Sequence, residues 1–140
     1  MALDLTSLKE AVASRENALD FACSKDQLAA LTEKQSDVVR AGVIQNFEFT
    51  YELCWKFIKR WLEKNLGSAY IDGVSRKELF RIAAENHLVG QAAPWLIYHD
   101  ARNETADTYN RTKVQEVFEV SKKFLKDARE FLKNLEGKND

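Results

Sequence analysis

The chain has 140 residues, with 21 Lys and Arg against 22 Asp and Glu, so it is long enough for a core of its own and close to neutral. A net charge of −1 with both signs mixed along the chain excludes the clustered basic excess that unspecific nucleic-acid binding requires. No run reaches about eighteen apolar residues, which argues against a membrane span, and the opening Met-Ala-Leu-Asp-Leu-Thr has no basic region followed by an apolar stretch, so no signal peptide is expected. The expectation is a single helical domain over residues 1–140, working in the cytoplasm. Cys23 and Cys54 lack any CxxC or zinc spacing and read as small hydrophobes in a reduced protein.

One proline and five glycines leave long stretches free to be helical. Leu5, Leu8, Val12, Leu19 and Ala22 step by threes and fours, with Arg15 as the one polar member of the stripe, and predict a first helix over residues 4–23. Ser24 with Gln27 resembles a capping box. The second helix, Glu33 to Asn65, is the longest, with Gly67 placed to close it in a left-handed cap. Its stripe of Ile44, Phe47, Tyr51, Cys54, Ile58 and Trp61 is widened by Val43, Phe57 and Leu62, while Phe49, Leu53 and Trp55 load another side. A helix apolar around most of its girth is central to the fold or buried in a partner, and a chain this short calls for both, hence a homodimer.

Ser75 and Glu78 form a second capping box, opening a short helix to Asn86. Pro94 is tolerated in a first turn and opens a fourth helix, Trp95 to Thr105, on which Trp95, Tyr98, Arg102 and Thr105 share a face. Thr112 with Gln115 caps the last helix, where Val114, Phe118, Ser121, Leu125, Ala128, Leu132 and Leu135 repeat without a miss. The closing Gly-Lys-Asn-Asp reads as a frayed end. The fold class is all-α: an up-and-down four-helix bundle with an extra short helix in one connection.

The chemistry concentrates in the run Arg102 to Tyr109. On a continuous helix Tyr109 lies within about 20° of Arg102, with Thr105 on the same face, whereas Asp107 points about 140° away. Glu48 and Glu52, four apart inside an aromatic segment, must face water, meet a cation such as Arg102 or line a polar pocket. His87 and His99 have neither metal-ligand spacing nor a local serine or cysteine partner, so no metal is expected. There is no GxxxxGK[ST] or GxGxxG loop, so any phosphate would be held by Arg102, a helix N-terminus or hydroxyls.

Two segments, Ile44-Gln-Asn-Phe-Glu-Phe-Thr-Tyr-Glu-Leu-Cys-Trp-Lys56 and Ala101-Arg-Asn-Glu-Thr-Ala-Asp-Thr-Tyr-Asn110, resemble the signatures of the nucleotidyltransferase substrate-binding protein family, a branch of the HEPN superfamily. The resemblance implies a dimerising helical bundle whose partner is a separately encoded minimal nucleotidyltransferase, giving a homodimer, or a heterotetramer once the partner is counted. It also implies kinship with toxin–antitoxin modules in which the HEPN member is a metal-independent ribonuclease bearing Arg-x4–6-His, often followed by x-Tyr. By position Arg102 matches the motif arginine and Tyr109 the tyrosine, but Asp107 stands where the histidine belongs. A carboxylate of reference pKa near 4 is ionised at neutral pH and repels the scissile phosphate.

The expectation is therefore a chain that is not itself an enzyme and needs no cofactor: a substrate- or nucleotide-binding subunit. Arg102 would hold a phosphate or a partner carboxylate, Asn103 and Thr105 would orient it, Asp107 would complete the site, Glu48 would position Arg102, and Tyr109 would stack, hydrogen-bond or accept a nucleotidyl group. Two other readings stay open: a ribonuclease toxin with an atypical Arg-x4-Asp-x-Tyr motif, and a plain helical interaction module.

Overall fold

The computed structural model describes residues 2–22, 31–104 and 111–139. Six helices carry them: α1 (Thr6–Ala22), α2 (Glu33–Leu66), α3 (Ser68–Ile71), α4 (Arg76–Glu85), α5 (Ala92–Glu104) and α6 (Arg111–Lys138). No strand occurs among the described residues. The all-α bundle expected from periodicity is the observed class, with one more short helix, α3, than the apolar stripes predict.

Local chemistry sets the helix ends. The box that opens α2 is Thr32 with Gln35: the hydroxyl accepts from Gln35 N at 3.2 Å and the amide oxygen accepts from Thr32 N at 2.8 Å. The Ser24–Gln27 box lies outside the described residues. Gly67 ends α2 with φ 96 and ψ 136, an extended positive-φ conformation in place of the expected left-handed one, while its N–H still closes onto Glu63 O. Ser75 caps α4 by accepting from Glu78 N, and the Glu78 carboxylate turns to Arg81 at 3.2 Å.

At the other end of α4 the N–H groups of His87 and Leu88 return to Ala84 O and Ala83 O, a Schellman closure with His87 at φ 60. That position usually takes glycine, and its demands explain an exposed histidine far from any catalytic grouping. Helix α5 begins at Ala92, earlier than expected, so Pro94 sits inside its first turn, where N–H groups have no intrahelical acceptor. Thr112 likewise falls within α6, not at its cap.

Cross-helix contacts give the directions. Asn139 clasps Leu3 both ways, donating to Leu3 O at 2.9 Å and accepting from Leu3 N at 2.8 Å. Trp61 Nε1 lies 3.5 Å from Lys138 O. The start of α1 thus sits with the ends of α2 and α6, and the tail expected to fray is pinned by a side chain whose partner is more than a hundred residues away. Leu88 O accepts from Asn134, and Tyr98 OH donates to Asp127, so α5 runs against α6. The order up, down, up, down through α1, α2, α5 and α6 follows, with α3 and α4 bridging α2 and α5.

The stripes meet in one core. Trp95, 1% exposed, is edge-on to Tyr98, Phe124 and Phe131 at centroid distances of 5.7 Å, 5.7 Å and 6.0 Å, and packs on Phe80 of α4 at 5.5 Å. Phe47 of α2 meets Phe124 edge-on at 5.1 Å. Such pairs add about 0.5–1.5 kcal/mol each beyond area burial, and they lock α4 and α5 to the bundle, which fixes the next layer of side chains. Of the second apolar side of α2, Leu53 and Trp55 are half-buried while Phe49 stays 60% exposed.

Candidate functional site

A polar face forms where α2, α4 and α5 converge. Its anchor is Glu52, one residue past the fully buried Tyr51. Trp55, three residues on and therefore on the same side of α2, donates its indole N–H to Glu52 Oε2 at 2.8 Å. The other oxygen, Oε1, faces two cations: Arg102 Nε of α5 at 3.5 Å and Arg76 Nη1 of α4 at 4.0 Å. Arg76 also lies over the Trp55 ring, with its guanidinium carbon 3.7 Å from the centroid. Trp55 thus orients the carboxylate and supports one of the arginines. Beside them Lys77 pairs with Asp100 at 3.6 Å.

The Glu52, Arg76 and Arg102 side chains remain about 30% exposed, 33% for Arg102 and 30% for Glu52. Ion pairs with this much solvent contribute about 1 kcal/mol or less. Two guanidiniums held around one carboxylate add little to stability, but they present donors that a phosphate can take over bidentately.

His99 joins the same face, three residues before Arg102 on α5. Its Nδ1 lies 2.9 Å from Tyr51 Oη, and its Nε2 lies 3.5 Å from Asn103 Nδ2. Burial first, then the positive charges of Arg76 and Lys77, hold the imidazole below its usual value against the opposing pull of Asp100 and Glu52. Burial also pushes the Tyr51 phenol up to about 12, although a hydrogen bond from Arg76 works the other way. The pair is accordingly neutral at neutral pH, with tyrosine as a hydrogen-bond partner and histidine as the group able to take a proton.

Of the residues that the sequence points to, Arg102 and Asn103 belong to this face. Thr105, Asp107 and Tyr109 lie outside the described residues. Glu48 is a correction. The carboxylate meeting Arg102 is that of Glu52, one helical turn further on, while Glu48 lines a separate cleft of about 940 Å³ with Asp37, Arg40, Val114 and Gln115, between the first half of α2 and the start of α6. Tyr51, Trp55, Arg76 and His99 are site residues that the sequence does not announce. Tyr51 and Trp55 read as apolar stripe, and Arg76 sits on a helix outside the two signature segments. The available signal is the i, i+3 spacing of His99 and Arg102. Among the described residues no three His, Cys, Asp or Glu side chains converge as metal ligands would, and no helix is long and apolar enough to cross a membrane.

The profile of the nucleotidyltransferase substrate binding protein like family covers residues 3–137, and the chain belongs to that family, within the HEPN superfamily. A "Probable ribonuclease HepT" of Haemophilus influenzae is 35% identical over 104 residues, which is 74% of this chain and 71% of the relative.

Among solved structures, a Haemophilus influenzae protein described as the substrate binding domain of a nucleotidyltransferase superposes with a TM-score of 0.91 at 30% identity, covering 95% of this chain and 99% of its own. A Thermus thermophilus protein follows at 0.72 and 25% identity, with coverages of 91% and 98%. The ribonuclease relative overturns the expectation that the chain is not an enzyme. That expectation rests on Asp107 alone, and the folded chain places an imidazole, His99, one helical turn before Arg102 on α5.

Proposed function

We propose that this chain is the substrate-binding half of a two-component nucleotidyltransferase. It forms a homodimer in the cytoplasm, docks a separately encoded minimal nucleotidyltransferase, and holds the phosphate of a nucleotide or nucleic-acid substrate at Arg102. The chain acts as one helical domain over residues 1–140, in an arrangement of the toxin–antitoxin kind. The observation that carries the reading is the convergence of Arg102 and Arg76 on the single carboxylate of Glu52. An incoming phosphate displaces Glu52 and gains two forked donors already in place. Asn103 and Thr105 orient it, Asp107 borders it, and Tyr109 stacks on the base or accepts the nucleotidyl group.

Co-purification with the product of the adjacent gene, followed by incubation with labelled ATP and intact-mass measurement, tests this reading. The expected result is a stable complex whose nucleotide binding is lost in Arg102→Ala and whose nucleotidyl mass shift, where formed, is lost in Tyr109→Phe. Absence of both complex and nucleotide binding overturns it.

A second reading, cleavage of RNA, is favoured by the ribonuclease name of the Haemophilus relative together with the His99 imidazole on the Arg102 face. The two readings share one phosphate site and differ in whether a proton moves there.

A further inference from the structure

We propose that His99, braced by Tyr51, is the proton-transfer group of an RNA-cleaving site centred on Arg102, in the place that Asp107 cannot fill. The assignment rests on the ribonuclease reading and supplies the group that reading lacks.

The placement is specific. His99 and Arg102 share one face of α5, and the three groups that frame them come from two other helices: Tyr51 and Glu52 from α2, and Arg76 from α4. The short contact at 2.9 Å ties Nδ1 to Tyr51 Oη, whereas the contact of Nε2 with the exposed Asn103 is long, at 3.5 Å. In the tautomer whose Nδ1–H donates to the phenol oxygen, Nε2 carries its lone pair on the side of Asn103. The Tyr51 oxygen has lone pairs for both the imidazole N–H and Arg76. The groups facing His99 are Tyr51 and Glu52 from α2, Arg76 and Lys77 from α4, and Asp100 from its own helix. Burial and the two cations keep it unprotonated near neutral pH, the form a base requires.

The step closes without a cofactor. The 2′-hydroxyl of RNA gives its proton to His99 Nε2, and the 2′-oxygen forms a bond to the adjacent phosphorus. The bond from phosphorus to the 5′-oxygen of the next nucleotide breaks, leaving a 2′,3′-cyclic phosphate. The departing 5′-oxygen takes a proton from water, and the imidazolium returns its proton to the hydroxide so formed. Arg102 and Arg76 stabilise the extra negative charge on the phosphoryl oxygens as the bond forms.

The test measures cleavage of a single-stranded RNA oligonucleotide by the full-length protein in EDTA, from about pH 5 to about pH 9. Wild type, Arg102→Ala, His99→Ala with and without added imidazole, and Tyr51→Phe are compared, with circular dichroism reporting fold. His99→Ala is expected to lose about 100-fold or more in rate at unchanged helicity. Imidazole should restore part of it, and the acid limb of the wild-type profile should vanish. Tyr51→Phe, which removes the brace, should lower the rate less than His99→Ala does and displace that limb.

A His99→Ala protein that cleaves within about 3-fold of wild type with the same acid limb refutes the assignment and leaves the ribonuclease reading standing. So does a loss that imidazole does not restore. A wild type no faster than Arg102→Ala refutes the ribonuclease reading, and the assignment with it.

Discussion

Arg15 and Arg102 each interrupt an apolar helical stripe with a guanidinium, and they end in opposite environments. Arg15 is 0% exposed, donates to the backbone carbonyls of Val43 and Ser121, and sits 5.9 Å from the Phe47 centroid. It ties α1, α2 and α6 together, and water does not reach it. Arg102 keeps a third of its side chain in solvent and faces a carboxylate that a second arginine also addresses. A guanidinium buried away from water against carbonyls and an aromatic ring is closed to an incoming ligand, so it serves the fold. A guanidinium beside a displaceable carboxylate at a half-open surface can trade that partner for a phosphate, as the proposed binding role requires.

The difference breaks most visibly in stability. Arg15→Ala empties a closed site and is expected to cost about 3 kcal/mol, seen as a lower midpoint in urea denaturation. Arg15→Met, which fills the volume without the charge, should recover more than half of it. An Arg15→Ala protein of wild-type stability would remove the contrast between the two arginines.

At the open site the same measurement should barely move. Arg102→Ala and Glu52→Gln are each expected to change stability by about 1 kcal/mol or less, while Arg102→Ala is expected to abolish the proposed nucleotide binding, measured by calorimetry. Glu52→Gln should tighten phosphate binding, because the ligand no longer displaces a charged competitor.

The smallest effect is a pH slope. The folded His99 value lies below the unfolded reference of about 6.5. Between the two, the unfolded chain binds more protons, so stability falls as pH drops from about 6.5 through the folded value. His99→Gln should flatten that slope in denaturation curves collected across the window, and an unchanged slope would assign it to another group.

Much of this is readable along the chain. Of the α6 stripe, Phe118, Ser121, Leu125, Ala128 and Leu135 are buried while Val114 and Leu132 are half-buried, and the buried Val117, Phe124 and Phe131 lie beside it. Ser75 caps the helix expected of it. Arg102 and Asn103 stand out in the sequence and sit on the polar face. The features that the sequence conceals share one property: the partner lies far away along the chain. Asn139 resembles a frayed tail because its hydrogen-bond partner is Leu3. Arg76 carries no local signal because the indole it stacks on is on another helix. The expectation of a non-enzyme follows from Asp107 within one motif, while the imidazole on the arginine's face stands upstream and is braced from α2.

The periodicity of apolar residues, a local consequence of 3.6 residues per turn, determined by itself that this protein is a helical bundle and which stripes face inward. It also placed Glu48 and Glu52 on one side of α2, four residues and about 6 Å of rise apart. Which of the two meets Arg102 depends on how far α2 is slid and rotated against α5, and no periodicity contains that. The aromatic contacts around Trp95 and Phe47 set it, and only the packed tertiary structure could decide that the carboxylate is Glu52 and that His99 comes with it.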